Sequence, residues 1–208
     1  DDILAEIDWE PQIESTEVGV TVKNGAVTLT GTVGSYSEKL AAERAVKRVK
    51  GVHAIAEEMK VKYASDRSVS DEDIAERISN IIEWNTSIPR DAVKAEVRSG
   101  YVTLSGDVDW NYQREAARNH IANVRGVIAV SNLINVKPRV AKADVSKEIN
   151  RALHRNADLE ASHVQVDVSG GKVTLSGNVK AWHERKLVEE AVWAAPGVTQ
   201  VVDNLRIA

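Results

Sequence analysis

The chain of 208 residues contains no cysteine, no phenylalanine, one methionine and four prolines. Without cysteine there is no disulfide, no thiolate metal site and no thiol nucleophile, so each folded part must hold by packing alone. That absence suits a reducing cytosol and an oxidising envelope compartment equally, and it locates nothing. No run of 18 apolar residues occurs, which excludes a conventional membrane-spanning helix. A charged leader followed by an apolar core is also missing, so no signal peptide is visible. Basic excess is lacking as well. The formal charge is −4 overall, and −3, −1 and 0 over residues 1–64, 65–140 and 141–208, so no part carries the footprint of a nucleic-acid binder.

What the chain has in abundance is repetition. Gly25-Ala26-Val27-Thr28-Leu29-Thr30-Gly31 returns as Gly100-Tyr101-Val102-Thr103-Leu104-Ser105-Gly106 and as Gly171-Lys172-Val173-Thr174-Leu175-Ser176-Gly177. Each copy is followed, at an unchanged distance, by Gly51-Val52, Gly126-Val127 or Gly197-Val198. Three gapless copies imply one folding unit used three times, each of about 70 residues and marginal alone. The expected units span 1–64, 70–137 and 142–208. Aligning Trp9 with Trp84, and Ile3 with Ile78 and Ile149, places the helix starts of the later copies before residue 1. The first unit is therefore expected to begin inside its first helix.

Within a unit, Val18, Val20 and Val22 alternate with polar neighbours, as do their counterparts, which marks a strand with one buried face. Asn24-Gly25, Ser99-Gly100 and Gly170-Gly171 suit a two-residue hairpin turn. That turn would pair Val22 with Val27, Val20 with Leu29 and Val18 with Gly31. Gly31, Gly106 and Gly177 are expected where a side chain would strike a packed helix. A helix follows, with Ala41, Ala42, Ala45, Val46 and Val49 on one stripe. Gly51, Gly126 and Gly197 are expected to stop it as left-handed residues directly after its end. Strands over 55–61, 130–136 and 201–207 close the units. Ser70-x-x-Asp73 has the form of a capping box opening an earlier helix. The fold class is α+β: three tandem α-β-β-α-β units, each a three-stranded mixed sheet covered on one face by two helices.

A unit of this order, with G-x-V-T-L-x-G in its second strand and Gly-Val after its second helix, resembles the BON domain. This is the bacterial module of osmotically induced OsmY-type periplasmic proteins, some secretins and other envelope proteins. The resemblance covers essentially the whole chain. It implies a binding module for anionic phospholipid or another envelope component, with a role in stress tolerance and no catalytic residue set. It also implies a periplasmic location, or a cytoplasmic one if no signal peptide precedes Asp1.

Chemistry belonging to the unit should recur in one column, and none does. His53, His120, His154, His163 and His183 occupy five different columns, with no i,i+4 pair of the kind zinc needs. His120, in the column of Ala45 and Ala191, reads as partly buried. No carboxylate column holds an acid pair in all three copies. No metal, cofactor or enzymatic activity is expected. The binding candidates are a basic stretch, Lys39, Arg44, Lys47, Arg48 and Lys50, which could meet anionic head groups, and the loop aromatics Trp110, Tyr112 and Trp182 beside Tyr36. Trp9 and Trp84 share a column, which points to packing. The competing expectation is a protein-interaction scaffold that forms homo-oligomers through sheet edges or surface aromatics.

Overall fold

The computed structural model describes residues 2–13, 17–63, 69–138, 145–155 and 163–207. The first repeat holds α1 (Asp2–Asp8), β1 (Val18–Lys23), β2 (Ala26–Val33), α2 (Tyr36–Arg48), β3 (Ala54–Glu57) and β4 (Lys60–Val61). The second holds α3 (Asp71–Trp84), β5 (Val93–Arg98), β6 (Tyr101–Val108), α4 (Asn111–Ile121) and β7 (Ala129–Val136). The third holds α5 (Val145–Arg155), β8 (Val164–Ser169), β9 (Lys172–Val179), α6 (Trp182–Trp193) and β10 (Gln200–Ile207). The fold is α+β, with one mixed sheet per repeat. Two compact units result, residues 1–106 with 114–134, and residues 107–113 with 135–208. The segments expected to join the repeats, 64–68 and 139–144, lie outside the described residues.

The hairpin has the register that its turn demands. Val22 pairs with Val27, Val20 with Leu29 and Val18 with Gly31. Asn24, Ser99 and Gly170 have φ of 51°, 51° and 56°, and the glycines after them 77°, 79° and 85°. Two successive left-handed residues match the right-handed twist of the flanking strands. The second strand of each hairpin lies in the middle of its sheet, antiparallel to the first and, in repeats one and three, demonstrably parallel to the third. Val27, Leu29 and Val33 point into the first core with Ile3, Ile7, Ala42 and Val46. Ile149, Leu153, Val173, Leu175, Val188 and Val192 do the same in the third.

The glycine columns have reasons other than helix packing. A Cβ on Gly31, Gly106 or Gly177 would lie 1.9–2.0 Å from a carbonyl oxygen of the neighbouring strand, that of Glu17, Ala92 or His163. The backbone there has φ of +109° to +127°, a region L residues rarely adopt. The obstacle is thus the opposing backbone rather than a helix. Gly51, Gly126 and Gly197 do not sit directly after the helices either, but three to five residues past the last helical residue. Short turns intervene, closed by bonds such as Val49 N–H to the Val46 carbonyl and Val127 N–H to the Val124 carbonyl.

These late glycines face the hairpin. The carbonyl oxygens of Gly25, Gly100 and Gly171 each accept a 2.8 Å bond from the second residue beyond, His53, Ile128 or Thr199. A Cβ on the same hairpin glycines would meet the Gly51, Gly126 or Gly197 carbonyl at 2.7–2.8 Å. The chain leaving the second helix must touch the hairpin turn before it enters the sheet. That closure makes the interval between the two glycine columns rigid.

The third strand of the first repeat is broken where one strand was expected. At the break Glu57 Oε1 accepts from the Met59 N–H at 2.7 Å, and Met59 itself is buried. The Ser70 capping box is present in full: Asp73 N–H donates to Ser70 Oγ, and the Ser70 N–H and hydroxyl donate to Asp73 Oδ2.

Candidate functional site

The loop between the second strand and the second helix is organised by one residue column. Glu38 and Glu184 are the buried carboxylates among the described residues, and Gln113 shares their column. Glu38 accepts from the Gly34 N–H at 2.7 Å and Glu184 from the Lys180 N–H at 2.9 Å. Gln113 accepts from the Asp109 and Trp110 N–H groups, both at 3.0 Å. Each side chain reaches back from the first helical turn to backbone donors that would otherwise be unpaired. These carboxylates therefore work as helix caps.

The loop aromatics stand at different depths on this frame. Tyr36 is buried, with 8% exposure. Trp110 and Trp182 are half-buried, and Arg185 lies 5.3 Å over the Trp182 ring. Tyr112 is 60% exposed.

The basic stretch of α2 is engaged with the protein's own acids. Lys39 Nζ lies 2.7 Å from Glu57 and donates to the Met59 carbonyl at 2.8 Å. Lys47 pairs with Glu43 at 2.6 Å. Arg48 binds Glu6 at 2.5 Å and Glu10 at 3.0 Å. The bond it donates to Glu6, then that to Glu10, pushes its guanidinium further above the ordinary range. Arg44 donates to Gln12 at 3.4 Å, and Lys50 is exposed. α2 is thus a helix clamped onto α1 by charge, in addition to the apolar stripe between them.

One recurrent feature escaped the search for acid pairs. Glu57, Asn132 and Asp203 share a column, and each accepts from the N–H two residues on, that of Met59, Ile134 or Leu205. Each also ties its strand to the second helix. Glu57 meets Lys39, Asn132 donates to the Arg114 carbonyl at 3.0 Å, and Asp203 meets Arg185 at 2.5 Å. Lys39, Arg114 and Arg185 are themselves one column, 18 positions earlier. In the first and third repeats the sequence signal is an acid 18 positions after a base, a pairing that acid–acid columns do not reveal.

Trp9 and Trp84 are the reverse of the packing residues expected. They are the most exposed large apolar side chains described, at 84% and 80%. The reason is local. Ile3 and Ile7, and Ile74 and Ile78, bury one helix stripe. At 100° per residue Trp9 lies about 200° round from Ile7, and Trp84 about 240° round from Ile78. The helix then ends, with Trp9 N–H bonded to the Ala5 carbonyl and Asn85 N–H to that of Ile81. A turn brings Ile13 or Ile88 back into the core. The tryptophan is left pointing outward in the same way in both repeats. Arg155 takes this column in the third.

The five histidines are all exposed, His120 included, contrary to its expected partial burial. Among the described residues no group of three His, Cys, Asp or Glu side chains could hold a metal ion. Among them, too, no helix is long and apolar enough to cross a membrane. A groove of about 600 Å³ runs between α3 and β5, lined by Ala75, Ile78, Ile82, Val93, Lys94 and Ala95, among others.

Comparison with known proteins places this geometry. The family model described as the BON domain matches residues 1–63, 70–138 and 141–208. A curated relative, osmotically-inducible protein Y of Escherichia coli (strain K12), is 31% identical over 129 residues. The match spans 60% of this chain and 64% of that relative's length. Two solved structures of CdsD, a structural protein of the type III secretion system of Chlamydia trachomatis, align at TM-scores of 0.28 with 16% and 15% identity. They cover 100% of this chain and 96% and 90% of theirs, and likeness at that level carries no argument.

Proposed function

The chain belongs to the BON domain family, and from that premise we propose that it is a non-enzymatic binding protein of the bacterial envelope, acting under osmotic stress and docking on phospholipid. The observation that carries this reading is the pair Trp9 and Trp84, exposed at one recurrent position where each helix ends. An indole held in water by the fold is suited to the head-group region, where its apolar ring and polar N–H are both accommodated. The relative's name supports the stress role.

The charges around these rings alter the expected mode of binding. Asp8 and Glu10 flank Trp9, and Glu83 precedes Trp84. The basic residues of α2 are largely engaged by Glu43, Glu57, Glu6 and Glu10. Docking on anionic phospholipid then rests on the aromatic anchors first, with little help from long-range attraction. Vesicle co-sedimentation, with tryptophan emission followed in parallel, tests this. Wild type should bind with a blue shift, and Trp9→Ala with Trp84→Ala should each weaken binding roughly tenfold or more. No co-sedimentation at low salt, even with anionic lipid, would remove the lipid reading.

A second reading, a scaffold that assembles through sheet edges, is favoured by the open groove beside the edge strand β5.

A further inference from the structure

We propose that β5 is a self-pairing strand, through which two copies of the chain form a two-fold dimer with one continuous six-stranded sheet. This deepens the scaffold reading and is independent of the lipid reading.

The strand order β5-β6-β7 makes β5 an edge. Its pairing with β6 determines which backbone groups are left over. Arg98 and Tyr101 flank the two-residue turn and are partners, as are Glu96 with Thr103 and Lys94 with Ser105. Residues flanking such a turn exchange both hydrogen bonds, and the pattern alternates along the ladder. Lys94, Glu96 and Arg98 therefore bond inward to β6. Val93, Ala95 and Val97 present their N–H and C=O groups to the open side.

An antiparallel copy centred on Ala95 uses all of these. Ala95 lies opposite Ala95 of the second copy, and Val93 opposite its Val97. Both are hydrogen-bonded pairs. Lys94 then falls opposite Glu96 of the second copy, and Glu96 opposite its Lys94. These are the non-hydrogen-bonded positions, where side chains approach most closely, with Cα atoms about 4.5 Å apart. A lysine on an edge ordinarily repels strand addition. Here the alternation Val-Lys-Ala-Glu-Val-Arg turns that charge into half of a cross-strand ion pair, made twice by symmetry. The corresponding strands read Val-Gly-Val-Thr-Val-Lys and Val-Gln-Val-Asp-Val-Ser, and neither is charge-complementary to itself.

The groove completes the fit. Its floor is the buried Ile78 and Val93, its open apolar walls are Ile82 on α3 and Ala95 on β5, and Glu83, Arg90, Asp91 and Lys94 rim it. Ala95 is exposed, and the side chains of 93, 95 and 97 share the helix-facing side of the sheet. In the paired state the second copy's Ala95 and Val97 enter this groove, covering apolar surface that the monomer leaves to water.

The test is the oligomeric state of the full chain by sedimentation velocity over a dilution series reaching about 100 μM, a range that detects micromolar association. Wild type should dimerise. Lys94→Glu places like charges opposite one another twice and should weaken the dimer about tenfold or more. Glu96→Lys should do the same, while losing only an exposed ion pair with Arg98. The double reversal restores complementarity and should restore the dimer. Because the chain has no cysteine, Ala95→Cys should give a disulfide-linked dimer on mild oxidation. A wild type monomeric throughout, a dimer indifferent to the single reversals, or reversals not rescued in combination would each overturn the proposal. Vesicle binding by Trp9 and Trp84 is read separately and does not depend on this outcome.

Discussion

Replacing Gly106 by alanine is the most direct probe of the repeat, because two independent costs fall on one atom. The added Cβ would stand 2.0 Å from the Ala92 carbonyl oxygen, where an ordinary contact begins near 3.4 Å. β5 and β6 would have to part locally by roughly 1.4 Å, enough to break about two ladder bonds worth ~1 kcal/mol each. The residue would also keep a φ of +127° that only glycine adopts freely; such strain costs about 1–3 kcal/mol. Together the loss comes to roughly 3–5 kcal/mol. A unit of this size has a stability of about 3.5–10 kcal/mol, so the second repeat should lose roughly a third or more of its stability, and all of it at the lower end of that range. Urea denaturation followed by far-UV circular dichroism and tryptophan emission reports the change, since Trp84 and Trp110 both lie in this repeat. Ser105→Ala, on the same strand and exposed, should shift stability by no more than about 0.5 kcal/mol. A loss below about 1 kcal/mol for Gly106→Ala would refute the argument from strand approach.

The other predictions concern caps, ion pairs and pH. Glu184→Ala removes the acceptor of the Lys180 N–H and should cost about 1–2 kcal/mol in chemical denaturation; Glu184→Gln should recover most of it. Asp203→Ala frees both Arg185 and the Leu205 N–H. It should cost about 1–2 kcal/mol, and Lys186→Ala, whose partner Glu190 is a solvated surface acid, should cost less than ~0.5. Tyr63 donates a 2.5 Å bond to the Val127 carbonyl, and burial pushes its hydroxyl above the usual phenolic value. The folded chain then holds the proton more tightly than the unfolded one, so this contribution is complete below pH 10 and lost as pH rises through the folded value. Spectrophotometric titration should show one tyrosine ionising late, and Tyr63→Phe should remove that step. Limited proteolysis should cut first within 64–70 and 137–143; first cuts inside 25–51 would contradict three repeats.

Sequence alone determined the elements whose causes are local or periodic. The hairpin register follows from a two-residue turn and the alternation of Val18, Val20 and Val22, because both act over a few residues. The Ser70 capping box and the α2 stripe have the same origin. The interval between the glycine columns showed that three copies exist, but not why it is invariant. Only the fold brings Gly126 against the turn at Gly100, because the contact joins residues remote in sequence. The same limit governed the surface. Lys39, Lys47 and Arg48 form a basic stretch on paper, and tertiary packing places Glu57, Glu6 and Glu10 against it. A column position is silent about whether a side chain points in or out. Trp9 and Trp84 repeat faithfully, yet both lie off the buried stripe where the helix ends, and Ile13 and Ile88 take the core position instead. Burial is a property of neighbours supplied by distant parts of the chain, and the tertiary structure alone assigns them.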